Sequence, residues 1–142
     1  MQVYPEKARK ILVVDDELDT RIFLQNLLSA DGFLPITAES KTEGIRVAEA
    51  ERPSVIILNM TMRDKGGIQL YRDLKLKDDL KHIPVIMLSS LDRETFVKCH
   101  ILYGQARCEA FEFYDKFMAK PPEADELLEA VRKLSHQDDD SK

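Results

Sequence analysis

Val55-Ile56-Ile57-Leu58 is an unbroken run of branched aliphatic side chains that stops abruptly at Asn59. It is too short for a helix and apolar at every position. It therefore reads as a strand covered on both faces, the kind that fills the middle of a parallel sheet. Two further runs share this form. Ile11-Leu12-Val13-Val14 stops at Asp15-Asp16, and Val85-Ile86-Met87-Leu88 stops at Ser89-Ser90. In an open α/β sheet, ligands bind at the carboxyl ends of the strands. Three such strands side by side would bring two carboxylates, an amide and a hydroxyl to one rim.

Helical patterns fill the gaps between these runs. A first helix is expected to start near Asp19 or Thr20, either of which can cap its first amides. Ile22, Phe23, Leu24, Leu27 and Leu28 are expected as its apolar side, and Gly32 follows where left-handed geometry ends a helix. Phe33 to Ala38 reads as a weaker strand, and Pro35, which removes a ladder donor, assigns it to a sheet edge. Ser40 to Glu43 has the spacing of a capping box and opens a second helix, which Pro53 stops. Gly66-Gly67 frees the backbone to turn into a third helix that runs to about Lys77. A fourth helix is expected from Asp92 or Arg93. Phe117 to Ala119 reads as the last strand and Glu123 to Ser135 as the last helix. Strands alternating with helices predict a doubly wound, five-stranded parallel sheet with five helices.

The boundaries follow. Residues 1–9 read as a polar lead-in, 10–135 as one domain with an added segment at about 104–116, and 136–142 as a disordered acidic tail. A chain of 142 residues has the size of one domain. No apolar run reaches the length of a membrane span and the N-terminus lacks a signal-peptide layout, so a cytoplasmic location is expected. Cys99 and Cys108 suit a reducing compartment. With His100 they are too few, and wrongly spaced, for a zinc site. A net charge of -5 gives no pull toward nucleic acid.

The rim residues suggest a chemistry. Adjacent carboxylates on a rigid edge, Asp15 and Asp16, suit a hard divalent cation such as Mg2+. The Ser89 hydroxyl can donate to a phosphoryl oxygen, and Lys120 can neutralise an anion. Together they read as a site for a phosphoryl group and Mg2+, where the protein contributes positioning and charge. A carboxylate at the centre could attack phosphorus. Asn59 is a carboxamide, whose delocalised nitrogen and uncharged oxygen make it a poor nucleophile.

Lys10 to Glu17, Arg52 to Leu58, Ile83 to Ser89 and Lys120-Pro121, in this order and spacing, resemble the motifs of response-regulator receiver domains, the CheY-like family of two-component signalling. The resemblance covers about Lys10 to Ser135. It implies a flavodoxin-like sheet of order 2-1-3-4-5. It also implies Asp16 as a direct metal ligand, Asp15 acting on the metal through water, and the Thr61 carbonyl as the backbone ligand. Ser89 and Lys120 would contact the phosphoryl group, and Phe117 would be the aromatic that changes rotamer on activation. A cis peptide bond is implied at Lys120-Pro121. The implied partner is a sensor histidine kinase or another signalling protein. Homodimerisation is implied through the face made by the fourth helix, last strand and last helix.

Asn59 stands where that family has its phosphorylated aspartate, and Arg63 where proline is common. The resemblance then implies a stand-alone receiver-like module, not an enzyme, that takes no phosphate at Asn59 and works by protein contact. Mg2+ binding would be weakened by the missing carboxylate. Three readings of Asn59 stay open: a natural non-phosphorylated relative, an engineered block on an ordinary receiver, or a structural substitute that hydrogen-bonds Lys120. A more distant alternative is a Mg2+-dependent phosphohydrolase.

Overall fold

The computed structural model describes residues 8–60, 62, 66–90 and 116–135. Five strands, β1 (Lys10–Val14), β2 (Leu34–Ala38), β3 (Val55–Asn59), β4 (Val85–Ser89) and β5 (Lys116–Ala119), form one sheet in the order β2-β1-β3-β4-β5. All of the pairings are parallel. Among the described residues the helices are α1 (Leu18–Ala30), α2 (Lys41–Glu51), α3 (Gly66–Leu76) and α4 (Ala124–Ser135). The helix expected from Asp92 or Arg93, the added segment at 104–115 and the tail lie outside the described residues. None of the described helices is long and apolar enough to cross a membrane.

The central strands are buried along their whole length, as their composition requires. Alternate side chains feed two cores. Leu12, Val14, Ile56, Leu58, Val85 and Met87 pack toward α2 and α3. Ile11, Val13, Val55, Ile57, Ile86 and Leu88 pack toward α1 and α4. The edge position of β2 follows from Pro35. Leu34 N–H donates to Arg9 O in the direction of β1, so the neighbouring Pro35 nitrogen faces outward, where no ladder bond is lost.

Local chemistry sets the helix ends. Gly32, at φ 91°, closes α1 in a Schellman motif: Phe33 N–H bonds Leu28 O, and Gly32 N–H bonds Ser29 O. The Ser40 hydroxyl accepts the Glu43 N–H at 3.2 Å and opens α2. The start of α1 corrects the expected cap. The helix begins at Leu18, and neither Asp19 nor Thr20 caps it; the N-cap residue is Glu17, whose side chain makes no capping bond. The cause lies upstream. The Asp15 carboxylate accepts the Glu17 N–H at 2.9 Å and turns the chain into the helix early. Asp19 falls in the first turn, where its charge suits the helix dipole.

A second correction concerns the apolar side of α1. Leu24 and Leu28, four residues apart, are buried, and Leu27 packs beside them. Ile22 and Phe23 are instead 46% and 44% exposed. Ile22 shares its exposed stripe with Leu18, one turn earlier.

α4 is tied to the N-terminal elements. Arg132 makes a two-pronged bond to Asp31 at 2.7 and 2.8 Å, and Arg9 Nη1 donates to Ser135 O at 2.7 Å. These ties hold the last turn of α4 against the end of α1 and the residue before β1.

α3 starts almost in contact with the end of β3. A Cβ added to Gly67 would run into the Asn59 carbonyl oxygen and lie 2.9 Å from the Met60 Cα. Glycine is required here for close approach of two backbones. We expect Gly67→Ala to destabilise the fold by about 2 kcal/mol or more, because the obstructing atoms are backbone and cannot rotate away. Urea unfolding of the two proteins measures this, and equal midpoints would contradict the close approach.

Candidate functional site

Strand order reverses at β1, which lies between β2 and β3, and this is the switch point where doubly wound sheets form their crevices. The register then brings the strand ends together. Val14 pairs with Leu58, so Asp15 emerges beside Asn59. Asn59 pairs with Leu88 and Ser89 pairs with Ala119, so Ser89 and Lys120 complete the row. Lys120 N–H donates to Ser89 O at 2.8 Å and holds that corner. The Lys120–Pro121 bond is cis.

Asp15 is the hub. It is 1% exposed. Its Oδ1 accepts from the Asn59 Nδ2 at 3.1 Å and from the Glu17 N–H at 2.9 Å. Its Oδ2 accepts from Lys120 Nζ at 2.9 Å. A buried carboxylate is costly unless its oxygens are bonded and its charge balanced, and here both conditions are met. An ionised carboxylate only accepts, so the Asn59 amide must turn its nitrogen toward Asp15.

Lys120 spans two acids, with Glu17 Oε1 at 2.7 Å as the second. Burial alone would lower the pKa of its ammonium. Its hydrogen bonds to Glu17 and Asp15, and the charges of both, outweigh burial and hold it above the ordinary value of 10.5.

The acidic turn offers an oxygen donor set of the kind Mg2+ takes. One carboxylate oxygen from each of Asp15, Asp16 and Glu17 lies within 4.8 Å of the others. Ligands on opposite sides of a Mg2+ octahedron stand about 4.2 Å apart, so the dimensions are compatible. Lys120 already bonds two of these three acids. A cation entering the turn would have to share them with the ammonium.

The structure thus brings Asp15, Asp16, Asn59, Ser89 and Lys120 to one edge. Ser89 is fully buried, and Phe117 is half-buried against the α2–α3 core. Thr61 and Arg63 lie outside the described residues. Sequence reasoning assigned no role to two groups at this rim. Glu17 was visible as the third acid of the run, but its pairing with Lys120 needs the fold. Arg21 was hidden, because only the helix direction carries it back toward Asp15.

Because the folded pKa of Lys120 is raised, its ion pairs contribute fully while the lysine is protonated in both folded and unfolded chains. The contribution fades as pH rises from the ordinary value through the raised one. The stability difference between wild type and Lys120→Met should therefore be constant from about pH 7 to about pH 10 and shrink above it. Urea unfolding across this range tests the point, and a difference that grows with pH would contradict it.

The response regulator receiver domain family matches residues 11–132 of the chain. The polar-differentiation response regulator DivK of Brucella anthropi is 26% identical over 126 residues, covering 86% of this chain and 91% of that protein. The KDP operon transcriptional regulatory protein KdpE of Escherichia coli is 35% identical over 85 residues, which are 60% of this chain and 36% of KdpE. The chain thus spans about a third of the length of such transcriptional regulators. A crystal structure of a response regulator receiver domain protein from Clostridium thermocellum superposes with a TM-score of 0.76 at 27% identity, covering 94% of this chain and 99% of that one. With the match running from β1 into α4, the chain belongs to the response regulator receiver domain family.

Proposed function

We propose that this domain is a cytoplasmic two-component signalling module that takes no phosphoryl group at Asn59 and works through protein–protein contacts. The observation that carries this is the side chain at the end of β3. Asn59 is 2% exposed, at the position that resembles the family's phosphoacceptor, and donates its amide to Asp15. An acceptor must present a nucleophilic atom to phosphorus, as a carboxylate does and a carboxamide does not. Asn59 presents an amide that is already committed to an acid.

The surroundings keep the form of a working site. Ser89 and Lys120 stand where they could contact a phosphoryl group, and the acidic turn could hold Mg2+ through Asp15, Asp16 and the Thr61 carbonyl. Without a carboxylate at position 59 the cation would be held weakly. Lys120 supplies the balancing charge, so Asp15 is compensated within the chain itself. Phe117 would then keep one rotamer, and the output face one state, until a partner changes it.

Contact with a partner is supported by α1. Leu18, Ile22 and Phe23 are exposed close to the acidic turn, and clustered apolar side chains on a surface mark interaction sites. A sensor histidine kinase or another signalling protein is the fitting partner, with β5 and α4 contributing to a homodimer face. A second reading, an ordinary phosphoaccepting receiver in which asparagine replaces aspartate, is favoured by the intact frame.

Intact-mass analysis after incubation with a small-molecule phosphodonor and Mg2+ tests the chemistry. Wild type should gain nothing and Asn59→Asp should gain one phosphoryl group. A phosphoryl group on wild type would overturn the proposal. No gain by either protein would show that the rim has lost more than its nucleophile, and would remove the second reading.

A further inference from the structure

Arg21 lies in the first turn of α1, with a side chain only 14% exposed. Its Nη1 donates to the backbone carbonyl of Asp15 at 2.8 Å, and its Nη2 lies 3.4 Å from Glu39 Oε2. The Glu39 side chain is 65% exposed, so this pair contributes little. The bond to the Asp15 carbonyl is different in kind. It is charge-assisted, short and part-buried, and it falls on the residue whose carboxylate organises the rim.

The geometry points to Arg21 as a positioning residue for the acidic turn. Three groups pin Asp15. Its N–H donates to Ala38 O at 3.1 Å, its carboxylate is held from above, and its carbonyl is held by Arg21 from α1. Releasing the carbonyl would let the peptide plane between Asp15 and Asp16 rotate. Both carboxylates follow that plane, and with them the spacing that brings Asp15, Asp16 and Glu17 within reach of one cation. Lys120 offsets the repulsion between Asp15 and Glu17 but does not fix the peptide plane that sets where Asp15 and Asp16 point. Arg21 directs one prong of its guanidinium, Nη1, at the Asp15 carbonyl and the other toward Glu39, and so holds the turn without pairing with the acids of the cluster. Losing a group that orients a metal ligand from behind typically weakens metal binding by about 10- to 100-fold. A lysine would keep the charge, but its single ammonium on a flexible stem does not reproduce the planar fork.

This inference rests on the reading of the rim as a receiver site, so the test is made in Asn59→Asp, which restores the central carboxylate. Mn2+ is the probe, and free Mn2+ is counted by its paramagnetic resonance signal. Folding is checked by circular dichroism and thermal melting. Arg21→Lys, folded, should bind Mn2+ about tenfold or more weakly than the Asn59→Asp parent, and Arg21→Gln at least as weakly. Glu39→Gln should bind as the parent does. A strut that merely stabilises the fold would lower the melting temperature of Arg21→Lys and leave its Mn2+ affinity unchanged. Affinity within twofold of the parent in either folded Arg21 variant would overturn the assignment. So would tighter binding by Arg21→Gln, which would show that the guanidinium acts by charge alone. Failure of both variants to fold would make Arg21 a structural strut and overturn it as well. Absence of Mn2+ binding in the parent would instead refute the receiver reading of the rim, and this role with it.

Discussion

Asp15 places a carboxylate where almost no water reaches it, and the rest of the rim is arranged around that fact. Three donors from three parts of the chain converge on it: the Asn59 amide from β3, the Glu17 N–H from the turn, and the Lys120 ammonium from beyond β5. Removing a partner from a buried charge costs several kcal/mol, on the order of 3–5. The bonds therefore act as a check on the assembly of the sheet. β1, β3 and β5 must all be in register before Asp15 is satisfied. The ties from the last turn of α4, Arg132 to Asp31 and Ser135 to Arg9, hold that helix against the N-terminal half of the domain.

Asn59 makes this arrangement self-sufficient. An aspartate in its place would set a second carboxylate against Asp15. Two like charges about 4 Å apart at an effective dielectric of 20 repel by about 4 kcal/mol, and a cation would be needed to hold them. The amide turns that repulsion into a hydrogen bond. Relative to an aspartate, the amide offers no charged oxygen to phosphorus or to a cation, and it adds a hydrogen bond to Asp15. On the proposed reading, this hydrogen bond is what would let a receiver fold keep its rim in order with no phosphoryl group at position 59. Leu18, Ile22 and Phe23 are exposed on α1, the helix that follows the acidic turn.

Much of this was legible in the sequence, for identifiable reasons. Runs such as Val55 to Leu58 carry strand and burial in the same letters, and each ended at the residue that reaches the rim. Pro35 marked an edge and Gly32 a helix end because their backbone chemistry permits little else. Other features were not legible. The start of α1 depends on a side chain, Asp15, that lies before the helix. Ile22 and Phe23 are apolar yet exposed, because helix phase is set by Leu24 and Leu28, which fit the core better. Glu17 and Arg21 gain their roles only from directions in space. Gly67 read as a turn residue, whereas its need comes from the carbonyl of Asn59, eight residues earlier in the chain.

The most direct test of the claim that Asn59 frees the rim from a cation is thermal melting of wild type and Asn59→Asp, each with and without Mg2+. Wild type should melt at nearly the same temperature in both conditions. Asn59→Asp should melt lower than wild type without the cation and recover when it is added. With free Mg2+ a hundredfold above its dissociation constant, linkage would return about 2.7 kcal/mol. A wild type that gains as much from Mg2+ as the variant, or an Asn59→Asp that loses no stability without it, would contradict the claim that the amide does the work of the ion.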